Sequence, residues 1–401
     1  MHEDHRAKDI SPAWACSPCR PAGSGPSRMA KNQKRRSSME NLNIFERIVS
    51  WENLLDAYHH AAAEKWFRDD VAAFSASLGK NLLKIQKSLR QKYYQVGNYR
   101  EFYVYEPKKR LVMALNFPDR VVQWAIYLQL NPILDRQFYY HSYGCRVGKG
   151  TAKAADKLQD WMRLVDRKPD DWYYLKLDIS KYFYRVDHAV LLDILAKKFP
   201  GEDDLLWLMD RIINCEHTAF GLPPGKNVDE IDPSERLLDV GMPIGNLTSQ
   251  LLANVCLDQL DQYIKHELHA HYYVRYMDDM VILYNDAETL NEWRRLIEKY
   301  LNEVLHLELN DKTTVGKVKN GITFVGYVIR PAYRKLKRKS LRKMKAKMRY
   351  RQKEYAAGLI TFEKVNATMQ SYFGTMKHFD SYGLSRWISE NIVFQRNEDA
   401  T

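Results

Sequence analysis

With 401 residues and 45% hydrophobic content, the chain can bury a sizeable core, which excludes a wholly disordered protein and leaves room for one large enzyme domain or two modest ones. Its 62 Lys and Arg against 50 Asp and Glu give a formal net charge of +12, which points to a polyanionic partner, either nucleic acid or an anionic membrane surface. No apolar run approaches the roughly 20 residues that span a bilayer, and the charged, Pro-rich beginning lacks the apolar centre of a secretory signal, so a cytoplasmic protein with no membrane partner is expected. The five cysteines (Cys16, Cys19, Cys145, Cys215, Cys256) are odd in number and suit a reducing compartment. Cys16 and Cys19 form a lone C-x-x-C without a matching pair, read as leader rather than as a zinc site.

Residues 1–38 mix Pro, Gly, Ser and charge without periodicity and are expected to form a disordered leader, with Met29 and Met39 as alternative starts. Apolar residues then recur at helical spacing from Trp51 to about Leu89, and Phe102-Tyr103-Val104-Tyr105 begins a strand-like stretch that ends at Pro107. The pattern predicts helices over Val121 to Leu134 and Thr151 to Val165 around a Gly-punctuated turn at Gly144 to Gly150, then a strand from Trp172 to Ile179. A helix is expected over 189–213, a Pro-, Gly- and acid-rich loop over 221–241, a helix over 249–269, and two short strands around a Met-Asp-Asp turn within Tyr272 to Tyr284. Between Arg334 and Lys353 there are 12 Lys or Arg and no Asp or Glu, with apolar residues at roughly helical intervals, which predicts a basic amphipathic helix lying against nucleic acid. Arg334, Lys335, Lys337, Arg338, Arg342 and Lys345 are its candidate contacts.

Side chains alternate along Tyr173 to Asp178, so Tyr173, Leu175 and Leu177 share one face and Tyr174, Lys176 and Asp178 the other, bringing Asp178 out at the end of a buried strand. In Val274-Arg275-Tyr276-Met277-Asp278-Asp279-Met280-Val281 two adjacent carboxylates sit at a turn between apolar strands, where their repulsion calls for a divalent cation. Magnesium takes a few carboxylates plus substrate phosphates, and two such ions can steady the attacking and leaving oxygens of nucleotidyl transfer.

From about Glu106 to Arg330 the chain resembles the reverse transcriptase family, on three motifs in order: Leu177-Asp178-Ile179-Ser180-Lys181-Tyr182-Phe183, Tyr276-Met277-Asp278-Asp279, and Thr323-Phe324-Val325-Gly326-Tyr327 as the hairpin that grips the primer end. The resemblance implies that Asp178 and Asp278 ligate both metals, with the Ile179 carbonyl assisting and Asp279 completing the cluster, and that the cofactor is two Mg2+ ions, Mn2+ substituting. It places Phe183 beneath the sugar of the incoming nucleotide, where a ring blocks a 2′-hydroxyl and favours dNTPs. Lys108 and Arg110 resemble the residues that hold the triphosphate, Arg110 through its planar fork, and Lys312 one near the leaving pyrophosphate. Ser142-Tyr143-Gly144-Cys145-Arg146-Val147-Gly148-Lys149-Gly150 resembles a segment of bacterial retroelement enzymes, which makes Arg146 and Lys149 candidate template contacts.

In Met242-Pro243-Ile244-Gly245-Asn246-Leu247-Thr248-Ser249-Gln250, where relatives usually carry Pro-Gln-Gly, the chain resembles the reverse transcriptases of diversity-generating retroelements. These copy a template-repeat RNA with errors at adenines, and the likeness implies template RNA, primer and cDNA, dNTPs and an oligomeric accessory variability protein as partners in a bacterial or phage setting. It adds Ile244, Gly245 and Gln250 to the nucleotide pocket, with Ile244 removing a polar check on nucleotide position. The expected architecture is α+β: a right-hand polymerase fold with N-terminal helices and fingers over 39–165, an antiparallel-sheet palm over 166–330 and a basic helical thumb over 331–401. The rival readings are a group II intron-like or defence-associated reverse transcriptase and a maturase-like RNA-binding protein whose polymerase is idle.

Overall fold

The computed structural model describes residues 42–105, 109–215 and 218–396. The predicted leader, Cys16, Cys19 and Lys108 lie outside them. Four helices open the described part of the chain, α1 (Ile44–Ile48), α2 (Trp51–Ala62), α3 (Asp69–Ala76) and α4 (Leu78–Arg90), and their apolar faces close on α5 (Phe117–Gln137). Between α4 and α5 the strands β1 (Arg100–Val104) and β2 (Arg110–Ala114) pair antiparallel as a separate two-stranded ribbon. Then α6 (Thr151–Asp166) leads into β3 (Tyr173–Asp178), followed by the single turn α7 (Tyr182–Arg185).

The helix expected over 189–213 is two, α8 (His188–Lys198) and α9 (Asp203–Ile213). Pro200 cannot continue a helix, and Gly201 turns the chain at a φ of +79°, open to glycine without strain. After the loop, α10 (Leu247–His266) is buried nearly all round, the condition of a helix lying inside the core rather than on it.

The central sheet consists of β3, β4 (Tyr272–Tyr276), β5 (Asp279–Tyr284) and β6 (Thr314–Lys317), in the order β4-β5-β3-β6, with every pairing antiparallel. Helix α11 (Ala287–Tyr300) packs behind it. Leu175 and Leu177 are fully buried while Lys176 and Asp178 face the other side, as the period of two requires. A three-stranded sheet, β7 (Ile322–Phe324), β8 (Tyr327–Ile329) and β9 (Arg334–Leu336), then leads to α12 (Arg338–Ala356), α13 (Phe362–Met376) and α14 (Tyr382–Asn391), which share a small Met-rich core of their own.

The basic stretch therefore begins as a strand. Arg334 and Lys335 belong to β9, where β-sheet pairing with β8 overrides the helical spacing, and the helix starts only at Arg338. The whole has the antiparallel sheet and attached helical parts of a right-hand polymerase fold.

Candidate active site

Strand pairing assembles the acidic cluster. The register of β3 against β5 sets Asp178 directly opposite Asp279, and the β4–β5 hairpin presents Asp278 beside them. Like charges face to face across a ladder destabilise it. Lys176, two residues back on the same face of β3, reaches diagonally across and holds Asp279 Oδ1 at 2.5 Å. The backbone N–H of Val325, from the turn between β7 and β8, also donates to Asp279. The predicted primer-end hairpin is thus tied to the acidic pair.

For Asp278 burial and like charge outweigh the relief. Burial, then the neighbouring Asp178 charge, then Asp279, push its carboxyl up to about 6, with Arg110 pulling the other way. Burial likewise raises Asp279, opposed by Lys176. Carboxylates short of positive charge are a natural seat for a divalent cation. Among the described residues no three acidic, His or Cys groups already converge as a cage; magnesium asks for less, since one or two carboxylates plus waters and substrate phosphates complete its shell. Asp178 and Asp278 fit that requirement, and Ile179 follows Asp178 just beyond the end of β3.

Titration supplies a check. An unfolded Asp titrates near 3.8 and Asp278 in the fold near 6, so between these values the folded chain keeps a proton the unfolded chain has lost. Stability must therefore fall as pH rises through this window, by up to roughly 2 to 3 kcal/mol. Melting temperatures of the metal-free protein and of Asp278→Asn should converge at about pH 3.5, below the unfolded value, and diverge in favour of Asn by about pH 7.5, with Mg2+ closing the gap. A gap independent of pH would count against the strained carboxylate.

A fully buried ionic network supports the turn that carries Asp278. Arg275 on β4 meets Asp261 of α10 with Nη2 at 2.5 Å and Nε at 2.8 Å, and its Nη1 donates to Asn254 Oδ1 at 3.1 Å and to the Met277 carbonyl at 3.4 Å. Tyr273 OH donates to the same Asp261 at 2.6 Å. Met277 itself sits at a φ of +53°, a strained conformation for a residue with a side chain. Gly144 lies against it so closely that a Cβ there would stand 2.7 Å from the Met277 nitrogen. The Ser-Tyr-Gly segment is explained by this contact: it is bound to β4 by Tyr143 N–H to Arg275 O at 2.8 Å, and Asn254 Nδ2 donates to the Gly144 carbonyl at 2.9 Å.

This packing corrects the placement of Arg146. Its side chain is only 5% exposed, and it donates to Asp135 and to the carbonyls of Tyr139, Ser142 and Asp135, so it braces the segment from inside and offers no surface to a template. Arg334 is corrected in the same way: its guanidinium, 10% exposed, is taken by Asp156 at 2.7 Å and by the His378 carbonyl. Lys149 stays at the surface. Of the remaining basic candidates, Lys335 lies over Tyr333, Lys337 precedes α12, Arg338 and Arg342 are exposed on it, and Lys345 lies over Trp387.

The nucleotide-pocket candidates divide. Phe183 is half-buried on a cluster built from Leu111, Met113, Phe220 and Ile244. Ile244 is itself only 5% exposed, so its side chain faces that apolar cluster and reaches a nucleotide through Phe183 at most. Its carbonyl accepts from Met113 N–H at 2.9 Å, joining this segment to the β1–β2 ribbon. Gly245 has a φ of +122° with β2 packed against it, a position closed to side chains. Gln250 is half-buried in the first turn of α10, and exposed Lys312 hangs from Asn310, whose N–H donates to the Asp178 carbonyl at 2.7 Å.

Sequence reasoning missed Lys176 and the Arg275 network as parts of the site. Lys176 had a signal, since it shares the face of Asp178; so had Arg275, a charge inside an apolar strand. It also missed the loop after α9, which crosses the ribbon: Lys109 meets Asp229 at 2.6 Å and buried Arg236 meets Glu101 at 2.7 Å.

Comparison with known proteins agrees with this geometry. The family model described as "Reverse transcriptase (RNA-dependent DNA polymerase)" matches residues 105–329, more than half of the chain. The chain is similar to the "Putative COX1/OXI3 intron 2 protein" of Saccharomyces cerevisiae, 23% identical over 76% of this chain and 40% of that protein. It is also similar to "Protein YkfC" of Escherichia coli, 25% identical over 63% of this chain and 72% of that one. The chain therefore spans well under half of the yeast protein and about seven tenths of the bacterial one. Among solved structures, apo telomerase from Candida Tropicalis aligns with a TM-score of 0.47 at 13% identity, over 77% of this chain and 64% of that one. With the three motifs inside the matched span and the carboxylates of two of them brought to one end of an antiparallel sheet, the chain belongs to the reverse transcriptase family.

Proposed function

We propose that the protein is an RNA-directed DNA polymerase that copies a template-repeat RNA into adenine-mutagenised cDNA for a diversity-generating retroelement, with an oligomeric accessory variability protein as partner. The observation that carries the polymerase reading is the register that sets Asp178 opposite Asp279 at the end of a buried sheet, with Asp278 beside them and its carboxyl pushed up by burial and by the Asp178 charge. A divalent cation bound there would lower the barrier to attack of a primer 3′-hydroxyl on a dNTP α-phosphate. The chain's own residues do the rest: Arg110 offers a fork to the phosphates, Phe183 stands where a 2′-hydroxyl would be refused, and Lys176 keeps Asp279 oriented. The exposed cations of α12 suit the template–primer backbone.

The retroelement type rests on Met242 to Gln250. Because Ile244 packs into the cluster under Phe183, its influence on fidelity is a matter of how firmly that ring is seated. A second reading, an intron-type enzyme, has one observation in its favour, the likeness to the yeast "Putative COX1/OXI3 intron 2 protein".

The test is cDNA synthesis from a defined RNA by the purified protein, with and without the accessory protein, followed by sequencing. DNA with errors concentrated at template adenines is expected, and Ile244→Gln should shift that error spectrum. Accurate DNA would favour the intron-type enzyme, an unchanged spectrum in the variant would remove Ile244 from the explanation, and no DNA under any condition would favour an RNA-binding protein with an idle polymerase.

A further inference from the structure

Strand β4 is the edge of the central sheet, and the segment before α6 lies along it, with Ser142 bridged to Arg275. Outside this edge, lysines and aromatic rings interleave. Tyr140 is 69% exposed, and Lys149 Nζ lies 3.6 Å from its ring centre while donating to its carbonyl. His141 sits beside it, edge-on to Trp161 at 4.9 Å, and Lys157 Nζ lies 5.0 Å over the same Trp161. Lys149, Lys157 and Lys265 all press on His141, which burial and then these charges hold down at about 4. Further from the catalytic turn, Lys168 lies 4.6 Å over Trp172.

The nearby carboxylates are paired with other cations. Asp135, Asp156 and Asp160 are taken by Arg146, Arg334 and Arg163. Among the described residues, no carboxylate forms an ion pair with Lys149, Lys157, Lys168 or Lys265. Several cations brought together without counter-charge repel unless a polyanion lies over them. Trp161 and Tyr272 are buried and Tyr140 stands well out, so the edge offers charge and one stacking ring rather than a set of side chains that could insert into a bilayer.

We propose that this outer edge is a second RNA-binding surface, taking single-stranded RNA that lies outside the primer–template hybrid. One end abuts the catalytic turn, where Gly144 packs on Met277, and the other lies at Tyr272, roughly 17 Å away at the rise of a strand. RNA on this track would enter or leave the cleft beside Asp278. The inference takes from the proposed function only that RNA is the polyanion.

The test uses the full chain with two probes, a long single-stranded RNA and a short annealed primer–template. Lys157→Gln/Lys168→Gln/Lys265→Gln should weaken long-RNA binding roughly tenfold or more at about 0.1 M salt and reduce the slope of log K against log salt by about 2. Tyr140→Ala, a change at an exposed ring that spares the fold, should cost about fivefold or more with the slope unchanged. Extension of the short primer–template should stay at the wild-type rate in both. The proposal is overturned if long-RNA affinity and slope are unchanged, if the short substrate suffers equally, or if the lysines prove to bind phosphatidylserine vesicles and not RNA. The binding readout needs no polymerisation, so it holds or fails separately from the polymerase reading.

Discussion

Asp278→Asn and Asp178→Asn should each reduce cDNA synthesis on the order of a thousandfold or more, the scale seen when a group acting on developing charge is removed. Asp279→Asn should lose clearly less. The difference follows from the partners: Asp279 is already bound by Lys176 and by the Val325 N–H, so much of its charge is answered within the protein. Asp278 is answered by its own backbone N–H and by Arg110, yet burial and the Asp178 charge, the one that presses on it most, still hold its carboxyl up at about 6. Primer extension at saturating Mg2+ measures the ranking, with RNA affinity and melting temperature confirming that each variant is folded. Equal losses at all three positions would show that Asp279 leaves Lys176 to become a full ligand in the working complex.

The largest effect on stability is expected at the buried pair beneath the turn. Arg275→Met leaves Asp261 with only Tyr273 in a site closed to water, and breaking a buried pair in this way costs about 3 to 5 kcal/mol. The intact pair is a different matter, because the desolvation of both charges offsets most of their attraction, so Arg275→Met with Asp261→Leu should recover much of the loss. Denaturant unfolding of the three forms measures this. Since Arg275 also donates to Asn254 and Met277, the double variant should regain stability without regaining activity. Recovery of both would mean that the network holds the fold and leaves the Met277 turn to itself; recovery of neither would mean that no apolar pair fills the space.

The chemistry-bearing residues could be read from the chain because they lie in short, local patterns. Alternation along β3 put Asp178 at the open end of a strand, and the two apolar runs around Met277-Asp278 made a hairpin the natural outcome, since period and turn are properties of neighbouring residues. The structure kept those elements, α6 and the buried course of α10. Local pattern failed where distant segments decide. Arg334 and Arg146 looked like surface cations in a basic and a Gly-rich stretch, yet each found acceptors from elements far away or from a folded-back loop and turned inward onto them. Ile244 looked like a pocket residue and proved to be a support under Phe183.

Composition and motif therefore pointed to a polyanionic partner and picked out the adjacent carboxylates, because net charge and neighbouring acids need no knowledge of the fold. Only the tertiary structure decided which charge answers which. The β3–β5 register sets Asp178 against Asp279 and lets Lys176 cross to one of them alone. Helix α10, separated from the motif in sequence, supplies Asp261 and Asn254 to hold the Met277 turn. Those pairings depend on distances between strands and helices that no local spacing encodes, and in a buried site such distances set the electrostatic energy.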